Sequence, residues 1–449
     1  MLGGEACVTL CRVIMAEPVF PSPPEIAPEV EQDDTAAVSV SMFRALRHRN
    51  FRLYFFGQAT SLIGTWMQSA AQAWLILKLT NSSMMLGVVS FANYLPVLLM
   101  TTFAGVVVDR VDRRRLITAT QILLMLSAMV LAALTWLGVV RPIHVIALAA
   151  FNGIVSSFDM PGRQAFVVKM VNLEDLSNAI ALNSLIVNGA RVVGPAVAGL
   201  LIAAVGTATC FFLNGLSYLA VIWSLLAMTL AAEEIHAKHT SMLERLREGF
   251  SYVRHHKPTL YLLLLSAVAN GIASQYAVLV PIFARNILHG EARDYGFLMA
   301  AQGLGAMVGA FILAVRVGDA RELSWMLGLG LFLMALATSV FSLSPWLGLS
   351  LAAQALIGMG LIGSRTTTNT LLQISVPDEL RGRVMSFFTL SAIGMLPFGA
   401  LGVGFVGQHL TPQLAVQLCA IVGLVCGAVV LMRLKIIAGA RPPIPGEAA

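Results

Sequence analysis

Gly105-Val-Val-Val-Asp109-Arg110-Val-Asp112-Arg113-Arg114-Arg115 is a dense charged turn between two apolar runs, about 84–108 and 116–138. Six of its eleven residues are ionic in a chain of which only 12% are charged, and neither flanking run holds an ionic residue. A helix needs about 20 apolar residues to cross the hydrocarbon layer, and each run supplies them. A short arginine-rich loop between two such helices reads as a cytoplasmic loop.

Composition extends that reading to the whole chain. It is 57% hydrophobic with a mean hydropathy of +0.81, against roughly 45–50% apolar in soluble domains. Apolar runs of helical length, rather than ten-residue alternation, point to an all-α integral membrane protein and exclude an outer-membrane barrel. The net charge of +6 lies in short loops and predicts no nucleic-acid partner. The five cysteines form no metal or redox motif.

Twelve spans are predicted, at about 53–77, 84–108, 116–138, 142–160, 180–204, 209–230, 259–284, 296–317, 324–343, 346–365, 384–408 and 413–432. With the N-terminus inside, twenty-two Lys and Arg from Met42 onward face the cytoplasm, against Lys78, Arg141, Arg285 and Arg293 outside. Both termini are therefore expected to be cytoplasmic. The domain plan is a Pro- and acid-rich disordered tail at 1–41, a six-helix bundle at 42–230 and a linker with an amphipathic helix at 231–258. A second bundle at 259–432 and a tail at 433–449 complete it. The segment Met1–Met15 is short and poorly flanked for a signal peptide, and Met15 and Met42 are alternative starts. The bundles echo one another: Val171-Asn-Leu-Glu-Asp-Leu176 answers Val376-Pro-Asp-Glu-Leu380, and Leu86-Gly87 answers Tyr295-Gly296. Two pseudo-repeats around a central cavity form a transporter architecture.

Helical spacing collects polar residues on single faces. The first span carries Gln58, Ser61, Thr65, Gln68 and Gln72 in steps of three and four. The fourth carries Asn152, Ser156, Asp159 and Arg163, the seventh Ser266, Asn270 and Ser274, and the tenth Gln354 and Arg365. Such stripes face either a wet cavity or neighbouring helices. Trp66, Met67, Trp74 and Tyr276 can add apolar contacts to a ligand. In the fifth span, Gly189, Gly194, Pro195 and Gly199 allow close packing and a bend, while Arg191 lies deep enough that its charge marks a functional candidate or a structural clamp. The chain has no phosphate-binding Gly-x-x-x-x-Gly-Lys motif, no metal-spaced cluster and no nucleophile triad, so it is read as a non-enzyme without cofactors.

Gly105-x-x-x-Asp109-Arg110-x-x-Arg113-Arg114 resembles the signature loop of the major facilitator superfamily, with Asp112 where that loop usually has glycine. Asp159-Met-Pro161-Gly-Arg163-Gln164-Ala165-Phe166, Glu174-Asp175-Leu176-x-Asn178-Ala179 and Pro377-Asp378-Glu379-Leu380-Arg381-Gly382-Arg383 are similar to the branch of enterobactin exporters and macrolide efflux proteins, the transmembrane secretion effectors. The resemblance covers about 43–432. It implies that spans one, four, seven and ten line the cavity and that the span-five Gly-Pro motif is of exporter type. It also implies that Gly105, Asp109, Arg110, Arg113 and Arg114 form a conformational latch. Asp109 would sit at the N-terminus of span eleven, where free N–H groups favour a carboxylate. The expected function is a monomeric secondary exporter in the bacterial inner membrane. It would move a drug, siderophore or other amphipathic metabolite by alternating access with proton antiport. Asp159 is the candidate proton carrier, ahead of His144. A nutrient facilitator or importer and a membrane scaffold or sensor are the alternatives.

Overall fold

The computed structural model describes residues 43–108, 110–167, 170–229, 242–315, 319–434 and 437. Asp109 (the expected latch aspartate), Lys169, the predicted tail 1–41 and part of the linker lie outside them. From Arg44 onward the described residues are nearly all helical. The first group is α1 (Arg49–Thr80), α2 (Ser83–Val108), α3 (Arg113–Trp136), α4 (Pro142–Val167), α5 (Leu173–Val205) and α6 (Thr207–Ala227). Helix α7 (Met242–His255) is the connecting helix. The second group begins with α8 (Lys257–Gly271), α9 (Ala292–Val315), α10 (Ala320–Leu343) and α11 (Leu347–Ser375). It ends with α12 (Asp378–Gly394), α13 (Leu396–His409) and α14 (Pro412–Met432).

Eleven stretches among the described residues are long and apolar enough to cross a membrane. Helix α1, the first expected span, is 32 residues long but is not among the eleven, since its stripe of glutamines lowers its hydropathy. Several helices outrun the predicted apolar runs. Helix α5 starts at Leu173 rather than near 180, and α11 continues to Ser375 rather than 365. The added turns are polar and lie at the end bearing Arg113–Arg115, the basic end of the molecule.

Two predicted spans are not continuous α-helix. After Gly271 the chain passes through a 3-10 segment (Ala273–Leu279), a short α-turn (Val280–Ile282) and a π-turn (Phe283–Ile287). Pro281 cannot donate to a helical ladder. Irregular backbone at membrane depth is tolerated where it borders protein or a cavity, and Ser274, Gln275 and Val278 of this segment do border one. The second break falls at Met395, ahead of Pro397, between α12 and α13.

Asp112 has a structural role in the charged turn at Gly105–Arg115. It caps α3, its carboxylate accepting from the Arg115 N–H at 2.8 Å. Asp319 does the same for α10, accepting from the N–H groups of Arg321 and Glu322 at 3.0 and 2.8 Å. A carboxylate cap offsets one of the free donors and the positive dipole of a helix start.

The two groups meet most closely away from the basic end, at two glycine crossings. A Cβ on Gly87 (α2) would lie 2.6 Å from the Ala400 carbonyl oxygen and 3.2 Å from the Gly404 Cα (α13). A Cβ on Gly296 (α9) would lie 2.6 Å from the Pro195 oxygen and 2.8 Å from the Gly199 Cα (α5). Polar ties flank the crossings: Ser82 Oγ donates to Gln408 Oε1 at 2.8 Å, and Arg285 donates to the Leu77 carbonyl at 3.3 Å. Trp74 stacks on Tyr295 with ring centroids 5.9 Å apart.

Asp112→Ala should lower stability by about 1 kcal/mol and Asp112→Gly by only a few tenths, read as detergent-phase thermal unfolding. Equal losses would show that the side chain is not acting as a cap. Gly296→Leu should overpack the crossing at a cost of about 1–3 kcal/mol and part the groups there. A Ser274→Cys reporter should then react several-fold faster with an impermeant maleimide applied opposite the basic end; unchanged labelling would mean the crossing is not the seal.

Candidate functional site

Close packing at one end leaves space between the groups. A cavity of about 390 Å³ is bordered by α1, α2 and α5 on one side and by α8, the 3-10 segment, α9, α11, α12 and the start of α13 on the other. A second pocket of about 160 Å³ lies within the first group and shares Ser69, Gln72 and Asn93 with the first. The two pockets meet the same polar wall at these three residues.

Of the first-span stripe, Thr65, Gln68 and Gln72 line the smaller pocket, and Gln72 also reaches the central cavity. Gln58 and Ser61 do not border either; they are buried at 2% and 1% exposure, where α1 packs on α6. Helix periodicity puts all five on one face, but a face can turn from a neighbour to a cavity along its length. Asn152, Ser156, Asp159 and Arg163 all line the smaller pocket. Asn270, Ser274 and Arg365 line the central cavity. Gln354 is fully buried behind it, accepting from the Tyr276 hydroxyl at 3.2 Å, and Gln302 donates to the same hydroxyl at 2.8 Å. Tyr276 is thus a buried relay between α9 and α11 rather than a cavity wall, and Met67 is likewise buried.

Asp159 is 1% exposed and has three partners. Thr120 Oγ1 and Gln121 Nε2 donate to it at 2.8 and 2.9 Å, and Arg163, one turn on, pairs with it at 2.5 Å. Beside it, Asn214 donates to Gln68 at 2.7 Å, and Thr65 lies 3.5 Å from the Tyr218 hydroxyl. Sequence spacing finds Asp159 and Arg163; it misses Thr120, Gln121, Asn214 and Tyr218, although Asn214, Ser217 and Tyr218 stand at helical steps in α6. It also misses Ser90, Asn93 and Tyr94 of α2, which border the cavity. Their three- and four-residue steps in an otherwise apolar run were the available signal.

The span-five motif divides. Gly194 packs on α1, where a Cβ would lie 2.5 Å from Trp66 Cβ, and Gly199 and the Pro195 oxygen form the crossing with α9. Gly189 faces open space, and Arg191 enters the cavity. At the basic end Gly105 also faces open space, Arg110 is exposed, and Arg114 donates to the Leu226 carbonyl at 2.9 Å. Arg113 and Arg383 are both partnered. Asp175 is clamped by Arg44 at 2.6 Å and His48 at 2.7 Å, while Glu174 pairs with Arg44 at 3.1 Å. Arg381 pairs with Asp378 at 2.5 Å and donates to the Gln373 carbonyl. These charges tie down helix starts; Glu379 lies on the same first turn of α12.

Asp159→Asn should leave Arg163 short of a counter-charge. The cost should be about 3 kcal/mol, near the lower end for a broken buried pair because Arg163 keeps some exposure. Thr120→Val should cost about 1 kcal/mol. Adding Arg163→Gln to Asp159→Asn should recover part of the larger loss. If the two single changes lower the melting temperature equally, Asp159 is not the anchor of this network.

Residues 40–442 match a family model described as transmembrane secretion effector. The staphyloferrin A transporter of Staphylococcus aureus is 26% identical over 351 residues, covering 78% of this chain and 87% of that protein. The multidrug efflux pump Tap of Mycolicibacterium fortuitum is 26% identical over 361 residues, covering 78% and 88%. Among solved structures, a bacterial homologue of the human lysosomal transporter Spinster, inward-facing and unoccupied, superposes with a TM-score of 0.68. It is 14% identical and covers 90% of this chain and 99% of that one, which is a likeness of fold.

Proposed function

Because the chain belongs to the transmembrane secretion effector family of the major facilitator superfamily, we propose that it is a secondary active exporter. It moves a small hydrophobic or amphipathic molecule (a drug, siderophore or secreted metabolite) out across the bacterial inner membrane by alternating access, in exchange for protons. The observation that supports this best is the cavity between two helix groups that are pressed together at the glycine crossings. In this reading the basic end and both termini are cytoplasmic, as the lysine and arginine count supports. On that orientation the glycine crossings close the outer end, and this is the cytoplasm-facing state.

The export direction draws on the efflux and siderophore relatives and on the Gly-Pro motif of α5. Alternating access requires the crossings to part and the basic end to close. The latch assigned to Gly105, Asp109, Arg110, Arg113 and Arg114 belongs to that second state, with Asp109 meeting the start of α12. The open space beside Gly105 and Gly189 leaves room for such an approach. Asp159 is the proposed proton carrier. It lines the pocket that shares Ser69, Gln72 and Asn93 with the cavity, so a proton and a cargo would meet one polar wall. The acting unit is a single chain.

In inverted membrane vesicles energised by respiration, a labelled amphipathic panel should include a compound that accumulates. Nigericin should collapse that accumulation, and Asp109→Asn and Asp159→Asn should each reduce it at least tenfold. Gradient-driven movement in the reverse direction would replace the exporter with an importer. Accumulation indifferent to nigericin would remove proton exchange.

A further inference from the structure

The ionic side chains that face the central cavity are both cationic, and they come from opposite helix groups. Arg191 on α5 and Arg365 on α11 border it, while no described Asp or Glu does. Arg191 lays its guanidinium over the Trp66 ring, 4.9 Å from the centroid, and its buried Nε has no hydrogen-bond partner among the described residues. Neither arginine forms an ion pair among the described residues. Tyr94 of α2 borders the same cavity as both arginines.

Arg163 shows the ordinary solution for a charge inside such a bundle: a carboxylate one turn away. A purely structural arginine would find a similar acceptor, because an uncompensated charge in a membrane interior is expensive. Arg191 is half-buried and Arg365 exposed at the wall of one cavity, so both charges are open to what enters it. A guanidinium fork matches a carboxylate or related oxyanion in two parallel hydrogen bonds. The rest of the wall is mixed. Val278, Met299, Leu361 and Leu396 are apolar, and Asn93 and Gln302 supply neutral polar groups. The volume of about 390 Å³ is that of a small-molecule site.

We propose that this cavity takes an amphipathic organic anion, a mono- or polycarboxylate with an apolar body, held between Arg191 and Arg365. The proposal rests on the exporter reading, since it names the cargo class of the same cavity. It also gives the cargo a mechanical part. With the cavity empty, repulsion between the arginines opposes approach of the two groups. A bound anion removes that repulsion and bridges them, so that closure at the basic end comes after loading.

The test uses the purified full chain in nonionic detergent and equilibrium dialysis of four matched probes. These are 1-naphthaleneacetate, naphthalene-1,4-dicarboxylate, the neutral 1-naphthaleneacetamide and the cationic 1-naphthylmethylammonium. At least one anion should bind tenfold or more tightly than the amide, with the cation weakest, and the preference should weaken as salt rises. In the Arg191→Gln/Arg365→Gln protein the anion preference should fall below twofold. The Arg191→Lys/Arg365→Lys protein should keep a measurable part of it and controls for loss of folding, checked by monodisperse elution. Equal binding of amide and anion, preference for the cation, or no retention of either anion by folded protein would overturn the proposal. Charge-selective binding without gradient-driven transport would sink only the exporter reading. Transport of neutral or cationic amphipaths without anion-selective binding would sink only the anion site.

Discussion

Close backbone approach between helices is the constraint on which this structure depends. Lipid tails are as apolar as leucine, so helices in a bilayer gain little from hiding apolar side chains and associate through tight packing and polar ties. At Gly87 with Gly404, and at Gly199 with Gly296, the backbones come near enough that a single methyl group would collide. These crossings join α2 to α13 and α5 to α9, the main contacts between the first and second helix groups. Where they stop, the cavity begins.

Charge is handled in two ways inside this frame. Asp159 and Arg163 neutralise each other within one helix, and two side chains of α3 complete the carboxylate's hydrogen bonds. That site is self-sufficient. Arg191 and Arg365 belong to different groups and have no acidic partner at the cavity wall among the described residues. A pair of charges whose separation depends on how the groups are placed is sensitive to conformation in a way that a pair within one helix is not. The two sites share a polar wall through Ser69, Gln72 and Asn93, so the region has a balanced pole and a cationic pole.

Polar stripes were legible wherever a helix keeps one environment along its length. The α4 set at Asn152, Ser156, Asp159 and Arg163 is such a case. The α1 stripe was legible only as a face, since Gln58 and Ser61 turn into packing while Gln68 and Gln72 reach open space. Single polar residues such as Gln121 and Gln302 carry too little periodic signal by themselves and became visible only when helices distant in sequence were set side by side. Asp112 shows the opposite case. The superfamily pattern marks it as a departure, and its hydrogen bond to the Arg115 N–H makes it an ordinary helix cap.

By itself the sequence determined the membrane class, the all-α architecture and the family, and it located the charged turn and the candidate polar faces. Those properties come from local facts, namely apolar runs of membrane length, helical periodicity and loop motifs. Only the tertiary structure decided which faces meet. It put the glycine crossings away from the basic end, broke the helix after Gly271 beside a cavity, buried Gln354 behind Tyr276 and brought Arg191 and Arg365 to one space. The physical reason is that these are relations between helices far apart in the chain. Their distances are set by how closely backbones can approach, which no periodicity along a single helix records.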